Sequence, residues 1–197
     1  TIYSYSTASN LKFLTSIAKT TGGDSTLNIS VPGDILFGTG AGITSSSGKL
    51  NMILDADNNS NQNGGISMDS GTFTTNGGDV TLGGGANPAT GYAVGNALTY
   101  LNGLAGITLH NAQLNAGGGN ILMHGQGMAT GGTRLGVVIY AGSQVGTSGG
   151  GTISISGIGG GNAGFFSQGV QISDAGTGVG AQNGLIDITG TSTNSGW

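Results

Sequence analysis

NGGDVTLGGG at 76–85, GGGNILMHG at 117–125, GGGTISISG at 149–157 and NGLIDITG at 183–190 are one phrase written four times. Each opens on glycine, alternates apolar and polar residues, and closes on glycine. The apolar pairs are Val80 and Leu82, Ile121 and Met123, Ile153 and Ile155, and Ile186 and Ile188. Upstream, Leu50 with Met52 and Leu27 with Ile29 fit the same slot. A shorter phrase precedes each copy: GISM (65–68), GITL (106–109), GVVI (136–139) and GVQI (169–172). Ile35 with Phe37 and Leu11 with Phe13 continue that series toward the N-terminus. Alternation with a period of two describes strands that bury one face.

The spacing turns strands into an architecture. The interval from Ile66 to Val80 equals that from Ile107 to Ile121, and the interval from Val137 to Ile153 equals that from Val170 to Ile186. Single apolar anchors, Phe73, Leu114 and Val145, lie between the two phrases. Each unit therefore reads as strand, corner, short middle strand, corner, strand, with Gly and Asn supplying the backbone of the corners. A β-sandwich would place hairpin signals after each strand at shorter, more regular intervals. Matched triplets predict a coil whose equivalent strands pair in parallel: an all-β solenoid of about six rungs. With rungs about 4.8 Å apart, six span roughly 30 Å. The whole of 1–197 reads as one such segment with loop or hairpin excursions. The longest excursion is 84–105, where AVGNALTYL (93–101) suits a short helix or an extra hairpin; others are 125–136 and 157–169. Such insertions cluster on one face of a solenoid, often the binding face.

Composition agrees. Forty-four of the 197 residues are Gly and 6% are charged, as in disordered chains, but 36% are hydrophobic and recur with a period that disorder lacks. The net charge is −4, and Lys12, Lys19, Lys49 and Arg134 are the only Lys and Arg. Four scattered cations cannot neutralise a run of phosphates, which excludes nucleic acid, or form a polybasic membrane patch. The longest apolar run, LGVVIYAG (135–142), is too short to span a bilayer. The absence of cysteine argues against a disulfide-stapled scaffold and suits export through a narrow pore. A start at Thr1 and ends without an evident polar cap are expected of a piece of a longer shaft, with end-to-end self-association open to it.

The run KLNMILDADNNSNQNGGISMDSGTFTTNGGDVTLGGG (49–85) resembles the shaft repeats of filamentous haemagglutinin-like exoproteins of two-partner secretion systems. GVVIYAGSQVGTSGGGTISISG and GVQISDAGTGVGAQNGLIDITG resemble later repeats of the same family, and the resemblance covers most of the chain. It implies a right-handed parallel β-helix, export through an outer-membrane transporter, a place on the Gram-negative cell surface, and a role in adhesion, aggregation or biofilm. The family's secretion domain carries an Asn-Pro-Asn-Gly type motif; here the nearest match is Asn87-Pro88-Ala89. The chain is therefore placed downstream of that domain or late within it.

Few residues carry chemistry. Asp55, Asp57, Asn59 and Asn61 alternate in LDADNNSNQNGG (54–65), offering hard oxygen ligands for calcium. Ser60 stands where an EF-hand needs Gly and no Glu follows, so the other reading is a polar turn capping its own backbone. Gly77-Gly78-Asp79 lacks the spacing of secreted calcium repeats, and the GxGxxG match at 159–164 has no helix pattern behind it. No other cofactor is indicated. His110 and His124 fall outside the rung on different sides. The interval from Asp69 to His110 repeats that from Ile66 to Ile107, which predicts an Asp–His pair stacked on adjacent rungs with a structural role. Solenoid polysaccharide lyases and hydrolases need paired carboxylates, or calcium with a basic residue, on one face. This chain has no Glu and one Arg, and the reading is non-enzymatic. Thr-x-Thr rows for ice binding are absent: the outward residues are Thr81, Leu122, Ser154 and Asp187. Tyr92, Tyr100, Phe165 and Phe166, in two excursions, are candidates for stacking on a glycan or filling a pocket of a protein partner; alternatively they fold back over the shaft.

Overall fold

The computed structural model describes residues 2–3, 10–96, 105–129, 134–161 and 167–193. In chain order, the first rung holds β1 (Ile2–Tyr3), β2 (Leu11–Phe13) and β3 (Ile17–Lys19). The second holds β4 (Ser25–Ser30), β5 (Ile35–Phe37) and β6 (Ile43–Ser45), and the third β7 (Leu50–Ala56), β8 (Ile66–Asp69) and β9 (Thr72–Thr74). The fourth is β10 (Val80–Gly84), an extra β11 (Ala93–Val94), β12 (Ile107–His110) and β13 (Gln113–Asn115). The fifth is β14 (Ile121–Gln126), β15 (Val137–Tyr140) and β16 (Gln144–Thr147). The sixth is β17 (Ile153–Gly159), β18 (Val170–Ile172) and β19 (Gly178–Ala181), and β20 (Ile186–Ser192) follows.

Equivalent strands stack into three sheets. The first runs β1-β4-β7-β10-β14-β17-β20 with β11 beside β14; the second runs β2-β5-β8-β12-β15-β18; the third runs β3-β6-β9-β13-β16-β19. Every strand pairing among the described residues is parallel, and one isolated antiparallel bridge joins Gly64 to Val94. The protein is a parallel β-helix of six rungs.

Register converts alternation into a core. In the first sheet Leu27, Met52, Val80, Ile121, Ile153 and Ile186 form one column, and Ile29, Leu54, Leu82, Met123, Ile155 and Ile188 the next. The second sheet contributes the columns that begin at Leu11 and Phe13, and the third a single column through Ile17, Ile43, Phe73, Leu114, Val145 and Val179. Most of these side chains belong to one cluster, and each fully buried Ile, Leu, Val or Met contributes about 1.5–3 kcal/mol relative to exposure. Phe13 stacks on Phe37 at 4.7 Å, and Phe37 meets Phe73 edge to face at 4.9 Å. Burial loosens at the outermost rungs, where Leu14, Leu185, Ile186 and Ile188 are exposed.

Two expectations are corrected. Met52 and Leu54, not Leu50 and Met52, stand opposite Val80 and Leu82; Leu50 lies opposite Ser25. β7 offers three alternating apolar residues for two slots, and period two cannot choose between them. The described part of 93–101 is a short strand: Ala93 and Val94 pair in parallel with Gly125 and Gln126 of β14. Residues 97–104 lie outside the described residues.

The glycines that bound the repeated phrase are packing residues. A Cβ on Gly151 would sit 2.2 Å from the carbonyl oxygen of Gly119, and one on Gly184 would sit 1.8 Å from that of Gly151. At the phrase's far end a Cβ on Gly157 would meet the Gly169 carbonyl oxygen at 1.8 Å. Successive rungs touch backbone to backbone at these corners, and no other residue fits.

Candidate functional site

The connections from the first sheet to the second all leave at one corner: 31–34, 57–65, 85–106, 127–136 and 160–169. The other two corners vary far less. Between the second and third sheets Ser70, Asn111, Ala141 and Asp174 stand at the turn of successive rungs, each with φ between 48° and 73°, a left-handed conformation that non-glycine residues seldom adopt. Just before that turn runs a polar ladder. Asp69 accepts hydrogen bonds from Thr39 and Ser70, and its Oδ1 lies 2.8 Å from His110 Nδ1. His110 packs on Tyr140 at 4.8 Å. The Asp–His pair expected from the spacing is therefore present. Burial alone would push the Asp69 carboxyl up, but the bonds from Thr39, His110 and Ser70 outweigh it and hold it below the ordinary value.

A cavity opens at the variable corner. About 340 Å³ in volume, it lies between the 57–62 turn and the 85–94 segment, and Asp57, Gln62, Asn87, Thr90, Tyr92 and Gln126 contribute to its walls. The first wall is built by Asp57, at φ 52°. Its carbonyl accepts the N–H of Ser60 at 2.8 Å and of Gly85 at 3.1 Å, and its Oδ2 accepts that of Gln62 at 3.0 Å. The second wall is an Asx turn: Asn87 Oδ1 accepts the N–H of Ala89 at 3.0 Å, and its carbonyl accepts that of Gly91 at 2.7 Å. Reciprocal bonds between Gly64 and Val94, and one from Gly95 N–H to the Gln126 carbonyl, pin the segment to the shaft.

That anchorage sets Tyr92. Its ring stacks on His124 with centroids 5.3 Å apart, and its hydroxyl lies 3.1 Å from Ser156 Oγ on the next rung. Burial holds the His124 imidazole below its ordinary range, and a hydrogen bond to the Gly91 backbone offsets this only in part. Tyr92 thus folds back over the shaft, the second of the two readings considered for it, and lines the cavity as it does so. Tyr100, Phe165 and Phe166 lie outside the described residues.

The four oxygen-bearing candidates for calcium go to different partners. Asp55 Oδ2 accepts the hydroxyl of Ser30 at 2.7 Å. Asp57 Oδ2 accepts the Gln62 N–H at 3.0 Å. Asn59 Oδ1 accepts the Asn61 N–H at 3.3 Å, and both Asn59 and Asn61 are exposed. Among the described residues no three His, Asp or Glu side chains converge on a metal position. Burial pushes the Asp55 carboxyl up to about 6, against the Ser30 bond and with a smaller push from Asp57. Asp57 and Asp34 are raised by burial as well. Asp34, Asp55 and Asp57 each keep one buried oxygen without a hydrogen-bond partner.

Sequence reading missed three features. Arg134, the chain's only arginine, is fully buried. Its Nη1 donates to the Ala129 carbonyl at 3.1 Å, while Nε and Nη2 have no partner. Asp34 is fully buried and accepts from Gly65 N–H and Asn96 Nδ2. Gln126 belongs to the cavity. Only the last left a trace, as a polar residue in an outward slot beside the longest excursion.

Comparison of the chain with protein-family models, curated proteins and solved structures finds no match.

Proposed function

We propose that this chain is a structural and adhesive segment of a secreted bacterial surface exoprotein. The unbroken parallel ladder carries the reading: six rungs share one core, and connections of unequal length project from one corner. Such a rod works mechanically and interfacially, holding recognition loops away from the surface that anchors it. Its carboxylates serve the fold. Asp69 is engaged by Thr39, Ser70 and His110, Asp55 by Ser30, and Asp57 by its own turn, which fits a non-enzymatic role in adhesion, aggregation or biofilm. The resemblance in the repeats adds export through an outer-membrane two-partner secretion transporter, a Gram-negative cell-surface location, and a host or bacterial glycan or protein as target.

The test is adhesion by the chain itself. Beads coated with it are expected to adhere to epithelial monolayers or to bacterial biofilm well above beads coated with an unrelated solenoid of equal net charge. Adhesion no greater than that control on both surfaces would overturn the proposal.

A further inference from the structure

We infer that the cavity between the 57–62 turn and the 85–94 segment binds a neutral pyranose sugar, through Tyr92 as the platform and Asp57 as the hydroxyl acceptor. The inference deepens the adhesive role proposed above and rests on it.

Four observations lead there. The cavity's volume of about 340 Å³ lies within the range of small-molecule sites. Tyr92 is fixed from two directions, by the His124 ring beneath it and by Ser156 at its hydroxyl, so a ligand that stacks on it does not have to order it. An aromatic face beside hydrogen-bonding groups suits a pyranose, which offers an apolar C–H face and a rim of hydroxyls. Gln62, Asn87, Thr90 and Gln126 supply both donors and acceptors.

Asp57 gives the pocket its direction. The residue is 2% exposed, its Oδ2 accepts the Gln62 N–H, and its Oδ1 is buried without a partner. A buried acceptor left unmade is costly, and a hydroxyl donor entering the cavity would satisfy it. Among the described residues Asp57 is also the only ionisable acid or base on the cavity wall besides the Tyr92 phenol, and neither Lys nor Arg lines it. With a chain charge of −4, sialylated, sulfated and uronic sugars meet repulsion with nothing to neutralise them. Calcium is a poorer occupant, because it requires six to eight oxygens and this wall offers a single carboxylate.

The experiment follows backbone amide shifts of the labelled chain by NMR during titration to tens of millimolar. The neutral probes are methyl α-mannopyranoside, methyl β-galactopyranoside and N-acetylglucosamine; N-acetylneuraminic acid, glucuronic acid and calcium chloride are the contrasting arms. At least one neutral sugar is expected to move the amides of Gln62, Gly85 and Gly91, with millimolar affinity, while the acids leave them unmoved. Tyr92→Ala should weaken binding about tenfold, Tyr92→Phe should retain it, and Asp57→Asn should weaken it severalfold. If Tyr92→Ala fails to fold by circular dichroism, the double variant Gln62→Ala, Gln126→Ala carries the test, with a severalfold loss expected. The inference is overturned if no neutral sugar moves these amides, if the acids bind as well, if calcium alone moves them, or if a folded Tyr92→Ala binds like the parent. Beads that adhere without any sugar response would remove this inference and leave the adhesive role. A sugar response without adhesion would do the reverse.

Discussion

The corner between the third and first sheets and the corner between the first and second obey different rules. At the former, rung follows rung with a turn of four or five residues, and Gly78, Gly119, Gly151 and Gly184 press backbone against backbone. At the latter, five connections range from four to 22 residues, carboxylates and an arginine are buried without charge partners, and the cavity opens. The first corner is held by close packing at those four glycines, while Gly150 beside them faces open space. The second also packs backbone on backbone, at Gly106, Gly136 and Gly169, but it adds projecting loops and leaves buried polar groups unsatisfied. The contrast separates the part that specifies the fold from the part free to carry recognition.

The close-packed side of the contrast breaks most visibly, or fails to, at two adjacent glycines of the first corner. Gly151→Val puts a side chain into the Gly119 carbonyl and is expected to cost about 4 kcal/mol or more. Gly150→Ala meets nothing within 4 Å and should stay within about 0.5 kcal/mol of the parent. Urea unfolding of both variants decides the matter, and equal losses would refute the packing account.

Next in size is the acid side of the variable corner. Because the folded Asp55 carboxyl is raised from 3.8 to about 6, the fold binds a proton more tightly than the unfolded chain. That contribution is fully present below the unfolded value and is lost as pH rises through about 6. Asp34 and Asp57 act in the same direction, and Asp69 in the opposite one. Melting between pH 4 and 8 should therefore show a parent that weakens on the alkaline side. Asp55→Asn should flatten that slope and gain on the order of 2 kcal/mol at pH 8; an unchanged profile would dismiss the buried-carboxylate account.

Arg134→Met should raise the melting temperature, with a gain of about 1–2 kcal/mol, since an apolar chain of similar length replaces a buried charge with no counter-ion. A marked loss instead would mean that the guanidinium's single carbonyl bond matters more than its desolvation. The smallest effect on the shaft belongs to shortening Ala86–Thr90 to Gly-Gly. Stability should change by about 0.5 kcal/mol or less, while the sugar response disappears. A large loss of stability would show that this loop supports the rungs as well as lining the cavity.

Much of the shaft was legible because equal intervals in sequence become vertical neighbours in space. Ile66 lies beside Ile107, and Asp69 bonds His110, for that reason. Leu50 escaped because a slip of two residues preserves alternation, and only the length of the adjoining corner resolves it. The variable corner escaped more fully. Tyr92 meets His124, and Asp57 meets Gly85, only after the chain has folded back on itself. A lone arginine in a glycine-rich loop reads as solvated, and its burial follows from packing against Gly161. Periodicity carries no information about such encounters.

The 85–106 connection, the longest of its kind, is followed by a strand that resumes opposite its predecessor as though nothing had intervened: Ile107 faces Ile66. Length added at this corner is phase-neutral. Evolution can therefore insert, delete or exchange material there without re-indexing any later rung, and an engineer can do the same. A foreign peptide placed between Gly85 and Gly91 would be displayed from a support that does not register its arrival.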